Sequence, residues 1–327
     1  MERNRRAVGF AAATGILILI LDGKTAFAGA AEGIDLCIRS VIPALFPFFV
    51  LTPLLVGNLS TLFLRPMARR MGLPAGMEGL LIPAFLGGYP MGAQAVGRAK
   101  GDGALSREDA QRLLHFCSNA GPSFLFGMIG PQFSSPHVPW LLWGIHILSA
   151  MLVSRSIPGS APSRRASLQM SGISLQPALS GAVKTMGLVC GWVIVFRILI
   201  SFLNRWILWI LPKEAAVLVC GLLELSNGCC MLLEIPDPQI RFLICTLLLS
   251  FGGCCVAMQT AAVIPGLSIL PYLKGKLMQT VYSLALSSLI LQDPQRWVLI
   301  IPAVLLFFGC RKSLRKNNSR NPAASIV

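Results

Sequence analysis

Residues 78–97 read EGLLIPAFLGGYPMGAQAVG, and residues 214–235 read EAAVLVCGLLELSNGCCMLLEI. Each stretch is apolar enough to enter a bilayer, where about 20 such residues make one crossing. Neither reads as one unbroken helix. The first carries Pro83, Gly87, Gly88, Pro90 and Gly92, and the second carries Glu224, Ser226, Asn227 and Gly228. Backbone that leaves a helix at membrane depth exposes unpaired amides, each costing several kcal/mol in hydrocarbon. Such breaks persist only where protein or a water-filled cavity covers them. Both stretches are therefore expected to be re-entrant hairpins, two half-helices meeting at a polar tip.

The surrounding chain has the composition of a membrane protein. Its 327 residues are 54% hydrophobic and 13% charged, and mean hydropathy is +0.70. A soluble domain carries about 25% charge. The net charge of +15, from 28 Lys and Arg against 13 Asp and Glu, would suggest nucleic acid as a partner of a soluble protein. Here the cations fall in short runs at the ends of apolar stretches: Arg3, Arg5 and Arg6; Arg65, Arg69 and Arg70; Arg155, Arg164 and Arg165; Arg311, Lys312, Arg315 and Lys316. That is how bacterial membrane proteins mark cytoplasmic loops. No basic stripe is interleaved with aromatics, so no nucleic-acid partner is expected. The ten cysteines include no C-x-x-C pair and read as small buried hydrophobes, with no metal site expected. Arg3 to Arg6, the apolar run through Leu21 and Ala26-Phe27-Ala28 imitate a signal peptide, but a retained first span closes the topology better.

Candidate spans are 7–22, 41–64, 109–130, 138–154, 178–203, 241–268, 277–292 and 296–310. With the N-terminus inside, the basic runs, Arg98, Lys100, Lys184, Lys274 and Lys276 fall on the cytoplasmic side. The outer side receives Lys24, Arg39, Arg205, Lys213, Arg241 and Arg296 among seven acids that include Asp22, Glu32 and Asp35. The expected architecture is all-α: a polytopic protein of about eight spans plus two hairpins, with both termini cytoplasmic. Its first membrane half is 1–154, with hairpin 78–97 and broken helix 109–130. A flexible Ser/Gly/Pro/Arg-rich linker, 155–176, leads to the second half, 177–311, with hairpin 214–235 and broken helix 241–268. A basic disordered tail, 312–327, follows. The second half repeats the first with opposite orientation, the inverted repeat of many secondary transporters, whose sites lie at the midplane.

Glu224 is the sharpest single residue, because a carboxylate at bilayer centre costs about 2.5–3.5 kcal/mol even on a lenient scale. Arg197 is the other costly charge; it either pairs with Glu224 or snorkels to the outer interface. At the first tip, Gly87-Gly88-Tyr89-Pro90 leads to Gln94, and at the next break Ser118-Asn119 precedes Gly121-Pro122, which frees carbonyls one turn back. Gln259 and Thr260 occupy a comparable place after Gly252-Gly253. The candidate binding set is Tyr89, Gln94, Ser118, Asn119, Glu224, Asn227 and Gln259. His115 and His146 read as helix–helix hydrogen-bonding groups, and Ser106 as the N-cap of a helix with acids in its first turn. No H-E-x-x-H, G-x-S-x-G or P-loop is present. No enzyme activity, catalytic residue or cofactor is expected.

The chain resembles the sporulation integral membrane protein YlbJ family of the nucleoside-recognition (Gate) domain group. The resemblance rests on Gly33-Ile34-Asp35-Leu36-Cys37 with Ile42-Pro43-Ala44-Leu45-Phe46-Pro47, on Gly88-Tyr89-Pro90-Met91-Gly92-Ala93, on Phe116 through Phe124, on Gly221-Leu222-Leu223-Glu224-Leu225, and on Phe251-Gly252-Gly253 with Gln259-Thr260. It implies a role in endospore formation and a core like those of concentrative nucleoside and ferrous-iron transporters. It supplies no substrate. The expected function is secondary-transporter-like carriage of a small polar solute, with Glu224 as the group coupling H+ or Na+. The partners are the bilayer and that solute, and a homo-oligomer fits the same reading. The rival expectation is a non-transporting scaffold for spore-envelope assembly.

Overall fold

The computed structural model describes residues 2–158 and 173–292. Every regular element among them is helical. The first half comprises α1 (Glu2–Leu21), α2 (Gly23–Leu36), α3 (Ile42–Asn58), α4 (Arg65–Met71), α5 (Leu81–Phe85), α6 (Met91–Gly101), α7 (Arg107–Leu113), α8 (Pro122–Phe124) and α9 (Val138–Ser156). The second comprises α10 (Leu175–Trp206), α11 (Lys213–Leu223), α12 (Leu225–Cys230), α13 (Pro238–Phe251), α14 (Gly253–Val263) and α15 (Leu270–Gln292). Four stretches among the described residues are long and apolar enough to cross a membrane: Gly23–Asn58, Val138–Ser156, Leu175–Trp206 and Pro238–Val263. Val183, Val195 and Leu199 on α10, like Leu51 and Leu55 on α3, remain exposed. Lipid is the solvent that suits such a surface. The expected span 296–310, the tail 312–327 and most of the linker 155–176 lie outside the described residues.

One long element differs from expectation. Residues 23–40, read as an outer loop, are helical and run through a π turn at Cys37–Val41 into α3. The reason is packing. A Cβ on Gly29 would stand 2.9 Å from the Ile198 backbone, and one on Gly33 would stand 3.0 Å from that of Ile194. Two glycines four apart let α2 approach α10 closely, the small-xxx-small contact of membrane helices. Asp22–Arg205 at 3.0 Å and Glu32–Arg197 tie the antiparallel pair at either end. Arg197 therefore pairs with Glu32 and not with Glu224, which corrects the first of the two alternatives drawn from the sequence: its Nε donates to Glu32 at 2.9 Å.

α10 lies along α2 and α3, while α15 lies along α9 and α13. The short helices fill the space between. Among the described residues one large apolar core gathers Phe49, Leu142, Ile145, Val189, Val193 and Leu248, a second gathers Met71, Met77, Leu113, Phe116, Met151 and Tyr272, and a small third holds Ile200, Leu208 and Cys220.

Candidate functional site

Each interrupted stretch is helix–break–helix. Between α5 and α6 the chain turns at residues 86–90, where Gly88 takes φ +77°. α7, whose cap Ser106 accepts from the Asp109 amide at 3.0 Å, gives way to irregular chain until Pro122 restarts α8. Glu224 is extended (φ −141°, ψ 116°) between α11 and α12. Gly252 and Gly253, at φ +84° and +79°, separate α13 from α14, a left-handed pair that only glycine adopts cheaply.

These four breaks converge. A Cβ on Gly121 would lie 3.0 Å from Gly88 Cα, so the first two breaks touch backbone to backbone. The Tyr89 hydroxyl donates to the Leu249 carbonyl at 3.1 Å, and the Gly252 backbone sits against the same ring. A Cβ on Gly253 would stand 2.8 Å from the Gly221 carbonyl, which brings in the fourth.

On one side of Tyr89 lies Lys276, fully buried. Its Nζ donates to Gln279 Oε1 at 2.6 Å, to Tyr89 Oη at 3.0 Å and to Asn119 Oδ1 at 3.5 Å. It also lies 4.9 Å from the Tyr89 ring centroid and 5.8 Å from that of Tyr272, each such contact contributing about 0.5–2 kcal/mol. Asn119 Nδ2 donates to the carbonyls of Ala84 (3.0 Å) and Phe116 (2.8 Å). Gln279 Nε2 donates to Asn119 Oδ1 (3.0 Å) and the His146 carbonyl (3.1 Å). His146 Nε2 in turn accepts the Ala120 amide at 3.0 Å, a tertiary contact with irregular chain in place of the expected helix–helix bond, while His115 Nδ1 stays local, 3.1 Å from the Arg112 carbonyl. Burying an ammonium costs several kcal/mol unless good geometry offsets it. Here neutral oxygens do so; among the described residues no carboxylate lies within ion-pair distance of Lys276.

On the other side lies Glu224, also buried. Its carboxylate accepts the Ser226 amide at 3.1 Å, the Asn227 amide at 2.7 Å and Asn227 Nδ2 at 2.6 Å. Bonds from donors to an ionised acceptor are the stronger kind. With Tyr89, Gly121, Ser226 and Gln259 it lines a cavity of about 30 Å³, room for a water or two, since each needs about 10–15 Å³. In this conformation the cavity fits water, a proton path or a small ion, and nothing as large as a nucleoside.

Of the residues singled out from sequence, Tyr89, Asn119, Glu224, Asn227 and Gln259 are brought together. Gln259 faces the cavity, and its amide also donates to Cys255 Sγ at 3.2 Å. Ser118 is buried near Asn119, with no partner for its hydroxyl among the described residues. Gln94 stands apart. It donates to Thr185 on α10 at 3.1 Å and lines a separate cavity of about 140 Å³ with Arg98 and Pro177. Lys276 and Gln279 were missed. Lys276 read as a cytoplasmic loop cation, but α15 starts at Leu270 and carries it into the core. The signal was there: Tyr272, Lys276, Gln279, Ser283 and Ser287 recur at three- and four-residue spacing, one polar face of a helix.

No family model and no solved structure matches the chain. Among curated proteins it is similar to the sporulation integral membrane protein YlbJ of Bacillus subtilis (strain 168), at 25% identity over 207 residues. The chain is a membrane protein related to YlbJ. The match covers 54% of this chain and 51% of that relative, so the chain spans about half the length of the curated protein it matches.

Proposed function

We propose that the chain is a multi-pass carrier in a bacterial plasma membrane that moves a small polar solute during endospore formation. In this reading residues 78–97 and 214–235 dip into the bilayer from opposite faces, within an inverted repeat of about eight spans. Both termini are cytoplasmic, and an H+ or Na+ gradient drives the cycle. The observation that carries the proposal is the meeting of four chain breaks around a buried polar centre, with Lys276 and Glu224 on either side of Tyr89. Broken helices at membrane depth persist where protein buries them or where they line a water-filled cavity, and these line one. A purely structural core could be built from apolar side chains at no desolvation cost. The relation to YlbJ supports the sporulation setting.

The rival is a scaffold for envelope assembly, which needs a linker or tail more than a polar centre. A strain lacking the protein is complemented with Glu224→Gln, with Asn119→Ala, or with residues 155–176 replaced by a neutral linker, and heat-resistant spores are counted. The expected outcome is loss of spores in the two point variants at normal membrane levels, with the linker replacement supporting sporulation. Loss from the linker replacement alone would hand the function to the scaffold.

A further inference from the structure

The carrier reading leaves the coupling ion open between H+ and Na+, and the surroundings of Lys276 bear on that choice. Three uncharged oxygens converge on one point from three parts of the chain: the Tyr89 phenol from the 86–90 turn, the Asn119 amide from the second break, and the Gln279 amide one turn along α15. Converging neutral oxygens are what proteins offer a hard cation. At this point stands an ammonium, whose three N–H donors match the three oxygens. We propose, building on the carrier reading, that Lys276 is the site's resident cation and exchanges the coupling proton, so the carrier runs on protons and has no place there for sodium.

The chemistry follows from the hydrogen bonds. In the protonated form Nζ donates to all three oxygens, and the Tyr89 O–H donates to the Leu249 carbonyl. When one N–H proton passes to water on one face of the membrane, Lys276 becomes an amine with a lone pair and two N–H groups. Tyr89 then turns its O–H to that lone pair and gives up Leu249, the residue three before Gly252. Contact between the first hairpin tip and the α13–α14 break is thereby loosened. Uptake of a proton from water on the other face restores it, and one proton crosses per cycle. The titratable groups facing Lys276 are few: Tyr89, Tyr272 on its own helix, Cys117 beside Asn119, and His146 on α9. The His146 ring is already engaged by the Ala120 amide. From the end of α7, His115 meets the helix through its backbone carbonyl, which lies flush against Gly275. Arg112, one turn before Phe116, is held by the Gly72 carbonyl.

The test uses the full-length protein in lipid nanodiscs and no solute, so its result is readable whether or not the carrier reading survives the sporulation experiment. Thermal unfolding is compared in sodium chloride and choline chloride for wild type, Lys276→Met and Lys276→Arg. The expected result is no sodium effect on wild type or Lys276→Arg, and a rise of about 2–4 °C for Lys276→Met, whose emptied oxygen ring takes the ion. Independently, the lysine side-chain carbons of wild type are labelled with 13C and followed by NMR from about pH 5 to about pH 10. The signal missing in Lys276→Arg should titrate within that range. Stabilisation of wild type by sodium that Lys276→Met abolishes, or a Lys276 signal that never titrates, overturns the proposal. If Lys276→Met does not fold, the wild-type sodium comparison and the titration still decide.

Discussion

The two sides of Tyr89 solve the same problem in opposite ways. On the α15 side the buried Lys276 is surrounded by neutral acceptors, two from segments distant in sequence and one a turn along its own helix. On the α12 side a buried anion is satisfied within four residues, by amides and the side chain that immediately follow it. The first arrangement is tertiary and buries Lys276 fully; the second is local and lines a cavity of about 30 Å³. Satisfying opposite charges separately, instead of against each other, keeps each free to change protonation or bind without breaking an ion pair. A carrier needs that freedom, whereas a structural ion pair would forfeit it.

The sharpest way to break the comparison is at the tertiary side. Gly275 precedes Lys276 and lies flush against the His115 carbonyl, so a Cβ there would be driven into backbone. Gly275→Ala should destabilise by about 3 kcal/mol or more, above the common range for overpacking, because the obstacle is backbone and not the flexible end of a side chain. Gly191→Ala on α10, where nothing lies within 4 Å of the added carbon, should stay within about 0.5 kcal/mol. Unfolding in denaturing detergent, followed by tryptophan fluorescence, separates them; equal stability of the two variants would show that the Lys276 surroundings are not close-packed.

The local side should break by less. Glu224→Ala strands two buried amides and Asn227 Nδ2, each unsatisfied group costing about 1–3 kcal/mol, partly recovered by water entering the adjacent cavity. We expect about 2–3 kcal/mol for Glu224→Ala and about 1 kcal/mol for Glu224→Gln, whose amide oxygen still caps α12. The same unfolding assay checks this. If Glu224→Gln is as damaging as Glu224→Ala, the carboxylate's charge, and not its acceptor geometry, holds the break together.

That contrast also explains what could be read from the sequence. Glycine, proline and a lone glutamate in apolar runs placed all four breaks to within a few residues, since each interruption has a local cause: Gly88, Pro122, Glu224, and Gly252 with Gly253. Glu224 was found because its partners, Ser226 and Asn227, are its neighbours. Lys276 was not, because its partners lie 187, 157 and 3 residues away, and a lysine beside Lys274 counts as a loop charge until helix phase is examined. The helix Gly23–Leu36 was obscured for a related reason. Asp22, Glu32, Asp35 and Arg39 resemble an exposed loop until Gly29 and Gly33 are seen to seat the segment on α10.

The mildest of the perturbations concerns that seat. Arg197 and Glu32 form an ion pair whose side chains are 20% and 53% exposed, well outside the core that holds Lys276 and Glu224. Polar side-chain contacts between membrane helices contribute about 0.6 kcal/mol on average. The glycines beneath it bring α2 and α10 together whether or not the charges are present. Arg197→Ala and Glu32→Gln should therefore each cost about 0.5 kcal/mol, and the double variant no more than either alone, since each single change already ends the interaction. A loss above about 2 kcal/mol for Arg197→Ala, relieved by Glu224→Gln but not by Glu32→Gln, would place its charge with the buried centre. The separate satisfaction of the two buried charges would then no longer hold.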